Sequence, residues 1–140
     1  MSLVAQKGAS ALLGAFLTTN RFDRVLEGMV ITEVAKGRVV CEMEVTAEVS
    51  NSYGTLHGGC TSTIIDIVGT IAALTVDPLR PGVSVDMSTS FTSSAKVGER
   101  LYIEGKCLKS GKRLAFTEVK LWVGGLEKKL IATGTHTKAL

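Results

Sequence analysis

The stretch NSYGTLHGGCTSTIIDIVGTIAALTV, Asn51 to Val76, begins as a polar loop carrying Gly54, Gly58 and Gly59 and continues as an apolar run from Cys60 to Val76. Ile64, Ile65, Ile67, Val68, Ile71, Ala72, Ala73 and Leu74 leave that run almost no polar face beyond its threonines and a serine. A helix apolar on every side is one that neighbours cover on every side. Pro78, after Asp77, forbids its continuation, because proline has no amide donor and its ring clashes with the preceding turn. At the centre stands a single carboxylate, Asp66, with no Lys or Arg between Tyr53 and Leu79 to pair with it. Desolvating a lone carboxylate either costs several kcal/mol or drives its pKa upward, so Asp66 calls for a reason.

On the N-terminal side, Arg38 to Val45 alternates: Val39, Cys41, Met43 and Val45 share one face, and Val40, Glu42 and Glu44 the other, mostly wet. With Met29 to Val34 it forms a hairpin about Ala35, Lys36 and Gly37. Further upstream, Leu3, Val4, Leu12, Leu13, Phe16 and Leu17 fit an amphipathic helix packed on the domain, fraying near Asn20 and continuing irregularly from Phe22 to Leu26. Lys7 and Arg21 without an acid faintly echo a mitochondrial transit peptide, the weaker of the two readings.

Beyond the helix the chain reads as β. Gly82 to Ser93 carries Val83, Val85, Met87, Thr89 and Phe91 on one side. Arg100 to Lys109 and Arg113 to Val123 flank a turn at Ser110, Gly111 and Lys112, and Lys129 to Lys138 follows Gly124 and Gly125. One helix inserted after a hairpin and before four more strands predicts an α+β domain over residues 1–140, an antiparallel sheet with a single buried helix across it.

Composition agrees with a soluble domain: 140 residues, 45% hydrophobic and 21% charged. A net charge of +3, scattered along the chain, excludes a nucleic-acid surface but suits an anionic small molecule. Cys41, Cys60 and Cys107 have no paired spacing and read as reduced thiols of an intracellular protein. With two histidines and no cysteine pair, no metal site is expected. Seventeen residues with Asp66 at their centre do not make a transmembrane span.

A helix N-terminus presents unpaired N–H groups, and glycines there let a ligand approach the backbone. Such donors suit an oxygen that gains negative charge in acyl transfer, which makes the Gly58 N–H an electrophilic candidate. His57, Gly58 and Gly59 taken alone read rather as a tight loop-to-helix turn. Asp66 lies eight residues beyond Gly58, about 12 Å along the helix at ~1.5 Å per residue. It therefore cannot serve a centre at its own helix N-terminus. It can serve one on a second helix running antiparallel beside it, as in a two-fold dimer with two shared sites.

Taken together, Asn51, Gly54 to Gly59, Asp66 and the run Pro81 to Met87 resemble the hotdog-fold acyl-CoA thioesterases of the phenylacetate-type branch, most closely their small animal members. The likeness extends over Arg21 to Leu26, Val40 to Met43, Leu108 to Phe116 and His136 to Lys138. It implies a hotdog fold, a dimer with a continuous sheet, a homotetramer made of two dimers, and hydrolysis of fatty acyl-CoA to free acid and coenzyme A without a cofactor. Carried over, Asn51 and the Gly58 N–H hold the thioester carbonyl, and Asp66 of the other subunit activates water as general base, with nucleophilic attack by Asp66 the less favoured variant. Ser84 orients that water, and His57 supports the site. Coenzyme A contacts fall on Phe91, Thr92, Ser93, Ser94, Ala95 and Lys96, on Lys109, Ser110, Gly111, Lys112, Arg113 and Leu114, and near His136. The sequence departs from the animal members at Ser94, Arg113 and Ala139, where they have Pro, Thr and His. Cytosol is the default expectation for its compartment, with mitochondrial association the alternative for a fatty acyl-CoA enzyme and a lipid-transfer protein kept as an alternative partner.

Plainer readings stand beside these. Asn51 is equally a turn residue or cap, Ser84 a small filler on an apolar strand, His136 a surface residue, and the basic hairpin a solvated tip. A non-catalytic acyl-CoA binder would keep the basic hairpin without needing Asp66. Hydratases of the same fold rely on a His and Asp pair in a motif this chain lacks.

Overall fold

The computed structural model describes Gly8, Ala11, Gly14, Ala15 and residues 20–140. The expected N-terminal helix therefore lies almost wholly outside the described residues. Its expected irregular continuation is a 3-10 helix, Phe22–Leu26, which buries Leu26 completely.

The first hairpin is β1, Val30–Ala35, and β2, Arg38–Glu44. Its turn depends on Gly37, whose φ of +80° is reached at little cost only by a residue without a Cβ. Along β2 the expected alternation holds at Val39, Cys41 and Met43, all buried, but Val40 is buried as well. A 3-10 turn, Ala47–Val49, leads through the Asn51 loop into α1, Gly58–Leu74. Four strands follow: β3, Val83–Phe91; β4, Arg100–Ser110; β5, Leu114–Val123; and β6, Lys129–Ala139.

All six strands join one antiparallel sheet in the order β1-β2-β4-β5-β6-β3, and α1 lies across it, mainly on β4 and β5. The arrangement of one long helix on a curved antiparallel sheet is the expected hotdog fold. Helix and sheet approach closely because glycines stand where they meet. A Cβ on Gly105 would lie 2.7 Å from Val68 Cγ1 and 3.0 Å from the Val68 carbonyl oxygen, and one on Gly134 would lie 2.6 Å from Ile65 Cδ1. The core they frame joins Ile64, Ile65, Val68 and Ile71 of α1 to Val39, Cys41, Leu101, Ile103, Val119 and Leu121 of the sheet. Burying each such side chain contributes about 1.5–3 kcal/mol. Cys41, Cys60 and Cys107 are free thiols, and burial pushes Cys41 up to about 12 and Cys60 up to about 11. Among the described residues no helix is long and apolar enough to cross a membrane.

β3 turns apolar side chains to solvent. Val83, Val85 and Phe91 are 69%, 60% and 60% exposed, although their alternation with polar residues looks like a core face. β3 pairs with β6 on one side only, so its other edge leaves backbone donors and acceptors open.

Candidate active site

The loop before α1 is built around the side chain of Asn51. Its Oδ1 accepts from the Tyr53 N–H at 3.0 Å, the Thr55 N–H at 3.2 Å and the Thr55 hydroxyl at 3.1 Å. The turn reading of Asn51 is thus realised. It also fixes the amide: with Oδ1 committed to three donors, the Nδ2 group is the end left to donate elsewhere. His57 caps the helix, its Nδ1 accepting from the Gly59 N–H at 2.8 Å while its own N–H donates to the Val49 carbonyl. Gly59 is spent in the cap. The Gly58 N–H donates to nothing among the described residues and points from the positive end of the helix.

Backbone hydrogen bonds tie this loop to the segment after β3. Leu56 N–H donates to the Ala95 carbonyl, Val97 N–H donates to the Gly54 carbonyl, and Thr55 bridges to Lys96. Gly58 also faces Phe91, whose ring would meet an added Cβ at 3.4 Å. Asn51, His57, Gly58 and the run from Phe91 to Lys96 therefore form one cluster. Within it Ala95 is fully buried and anchors the loop, whereas Phe91, Thr92, Ser93, Ser94 and Lys96 are exposed.

Asp66 belongs to a second cluster, two turns along α1. Its side chain is 43% exposed and has the His136 imidazole and the Lys138 ammonium nearby, so it is not the isolated, desolvated carboxylate expected from its local sequence. His136 of β6 places Nε2 3.8 Å from Asp66 Oδ1 and 2.7 Å from Ser84 Oγ. The surface reading of His136 fails, because the residue is fully buried. It lies on β6 beside Ser84 and Asp66. Burial lowers its pKa and Lys138 lowers it further, against the opposing pull of Asp66, so the imidazole is neutral near pH 7. His136 Nδ1 has no hydrogen-bond partner among the described residues.

Two residues of this cluster escaped the sequence reading. Lys138 is buried on β6, where its Nζ donates to Thr70 Oγ1 at 2.7 Å, and Thr70 in turn donates to the Asp66 carbonyl at 2.7 Å. Desolvation lowers the Lys138 pKa and Asp66 opposes that fall. The signal available in the sequence was a lysine two residues after a histidine on a strand whose inward positions are otherwise small or apolar.

The third group, Lys109 to Leu114, forms the β4–β5 hairpin and lies apart from the first. Leu114 pairs with Ala139 and Phe91 with Ala132, seven residues along β6, or about 23 Å at ~3.3 Å per residue. One chain therefore brings Asn51, His57, Gly58 and Phe91 to Lys96 together. It does not bring Asp66, or the basic hairpin, to the same point.

The Thioesterase superfamily matches residues 53–129 of this chain. Human acyl-coenzyme A thioesterase 13 is 45% identical over 129 residues, which cover 92% of this chain and 91% of that protein. The crystal structure of zebrafish thioesterase superfamily member 2 superposes with a TM-score of 0.91 at 41% identity, covering 96% of this chain and 97% of that one. The mouse protein of the same name superposes at 0.89 with 40% identity, covering 100% and 99%.

Proposed function

The chain belongs to the thioesterase superfamily, a family of thioester hydrolases, and on that premise we propose that it hydrolyses fatty acyl-CoA to free acid and coenzyme A at sites shared between two copies. The observation that carries the shared site is the separation of its parts. The Gly58 N–H and the Asn51 amide lie at one end of α1, Asp66 lies two turns away, and an unpaired apolar strand edge runs beside both. Pairing two β3 edges about a two-fold axis runs Phe91 of one chain beside Val83 of the other. It thereby brings Asp66 and the basic hairpin of one copy toward the Gly58 loop of its partner.

In this reading the thioester carbonyl oxygen accepts from the Gly58 N–H and Asn51 Nδ2, which oppose the charge it gains when attacked. Asp66 from the partner removes a proton from water as that water attacks the carbonyl carbon. The C–S bond then breaks, and coenzyme A leaves as a thiolate that takes a proton. Ser84 holds the water. With the His136 proton on Nε2, the imidazole donates to Ser84 Oγ and frees the hydroxyl to donate onward, while Nδ1 is left as an unpaired acceptor, less costly than an orphaned N–H. Lys138 sits behind Asp66, held by its hydrogen bond to Thr70, and His57 acts as the cap that orients the loop. The nucleotide end of coenzyme A meets the exposed part of Phe91 to Lys96 and, from the partner, Lys109 to Leu114.

Release of free thiol from acyl-CoAs of increasing chain length tests the proposal. Wild type hydrolyses them, and Asp66→Ala loses roughly a hundredfold or more in kcat while remaining folded. Binding of acyl-CoA by wild type without thiol release would instead make the protein a non-catalytic binder.

A further inference from the structure

At the tip of the β4–β5 hairpin the backbone is polarised. Four consecutive carbonyls accept hydrogen bonds from within the chain: Gly111 and Lys112 from Arg80, Arg113 from the Leu140 N–H, and Leu114 from the Gly111 N–H. The N–H groups of Lys112 and Arg113 donate to nothing among the described residues. Carbonyl dipoles are thus drawn inward, leaving amide donors and the cations of Lys109, Lys112 and Arg113 facing out, an arrangement suited to an anion.

Arg80 makes two of those four bonds from the loop after α1. Nη1 donates to the Lys112 carbonyl at 2.8 Å and Nη2 to the Gly111 carbonyl at 3.2 Å, while Nε donates to Asp77 Oδ2 at 2.7 Å. Only a planar fork with several fixed donors can span two successive carbonyls and a carboxylate at once. Asp77 neutralises the guanidinium, and its own loop is folded about it, with the Leu79 N–H donating to Oδ1. The hydrogen bond from Arg80 holds the Asp77 carboxyl below its ordinary pKa.

We propose that Arg80 is a positioning residue for coenzyme A recognition: it holds the hairpin tip in the conformation that presents the Lys112 and Arg113 amides and side chains to the phosphates, without touching the substrate itself. The proposal rests on the reading of Lys109 to Leu114 as a coenzyme A contact. It makes nucleotide affinity depend on the loop that ends α1, a segment with no part in the chemistry.

The experiment compares wild type, Arg80→Ala, Arg80→Lys and the double variant Lys112→Ala/Arg113→Ala, each checked for assembly. Two substrates carry the same acyl chain, one on coenzyme A and one on N-acetylcysteamine, which lacks the nucleotide and its phosphates. Arg80→Ala is expected to raise KM for acyl-CoA about five- to tenfold, the loss of one or two charge-assisted hydrogen bonds, with kcat within about twofold. Its kinetics on the N-acetylcysteamine thioester stay at wild-type values. Arg80→Lys behaves as Arg80→Ala, because one ammonium cannot span both carbonyls. When Arg80→Ala is added to Lys112→Ala/Arg113→Ala, its effect shrinks to the part carried by the backbone amides. Equal losses on both substrates, an unchanged KM, or a full effect in the double background would each overturn the positioning role, the last because Arg80 would then act on the phosphates directly. If Lys112→Ala/Arg113→Ala itself leaves the acyl-CoA KM unchanged, the hairpin reading falls and Arg80 falls with it.

Discussion

At one edge of the sheet, β1 is six residues long and breaks register between Ile31 and Glu33. It carries Thr32 and Glu33, the latter paired to Arg38 at 3.0 Å. At the other edge, β3 is nine residues long and offers Val83, Val85, Met87 and Phe91 to solvent, with Asp86 its one charged residue. Both edges present unpaired backbone groups, and each breaks register once and carries one acidic residue, so length and apolar exposure are what separate them. The second has length and apolar surface, as an edge meant for a partner has. In the proposed dimer this exposed edge is where the functional unit continues, and the two clusters on α1 read as halves of two sites.

A lysine on each edge breaks or sharpens that contrast. Val85→Lys is expected to leave monomers by size-exclusion chromatography and to lower kcat/KM by roughly the whole contribution of the base, 10²–10⁴-fold, because no complete site remains. Val30→Lys on β1, half exposed like Val85, should change neither assembly nor rate. Monomers from both variants, or from neither, would end the comparison.

Smaller effects probe the two clusters. Asn51→Asp keeps an oxygen for the Tyr53 and Thr55 donors but replaces the Nδ2 donor by an acceptor. It should lower kcat by about 10²-fold in thiol-release assays with little change in thermal stability. Gly105→Ala drives a methyl against the Val68 carbonyl and should cost about 1–3 kcal/mol in urea unfolding. At the weak end is pH. Because burial depresses the folded pKa of His136 below its ordinary 6.5, its contribution to stability is fully present above that value and declines as pH falls through it toward the folded pKa. A His136→Asn variant, packed in the same place, should show a flatter stability curve between pH 7 and pH 5.

Much of this was legible in the sequence. Periodicity placed the helix to within two residues and found all six strands, because alternation and glycine turns are local signals. The parts that were not legible depend on distant pairing. The neighbours of Asp66 come from β6, some 70 residues away, so a local search for Lys or Arg found none. The alternation of β3 is the same for a buried face and for an exposed one, and only its place at the sheet edge tells them apart. The capping role of His57 was hidden for another reason, since histidine is not among the favoured capping residues.

The shared site is tested most directly by mixing two inactive proteins. Asn51→Asp lacks a donor at one end of α1, and Asp66→Ala lacks the base at the other. If each site draws these residues from different copies, a mixed dimer holds one doubly defective site and one intact site. Equal amounts unfolded and refolded together should then recover about a quarter of wild-type thiol release, half the dimers being mixed with one working site of two. Refolding either variant alone should recover none. Failure of the mixture to exceed its components, with mixed dimers shown to form, would mean that Asn51 and Asp66 of one chain serve the same site, and that no site is shared between copies.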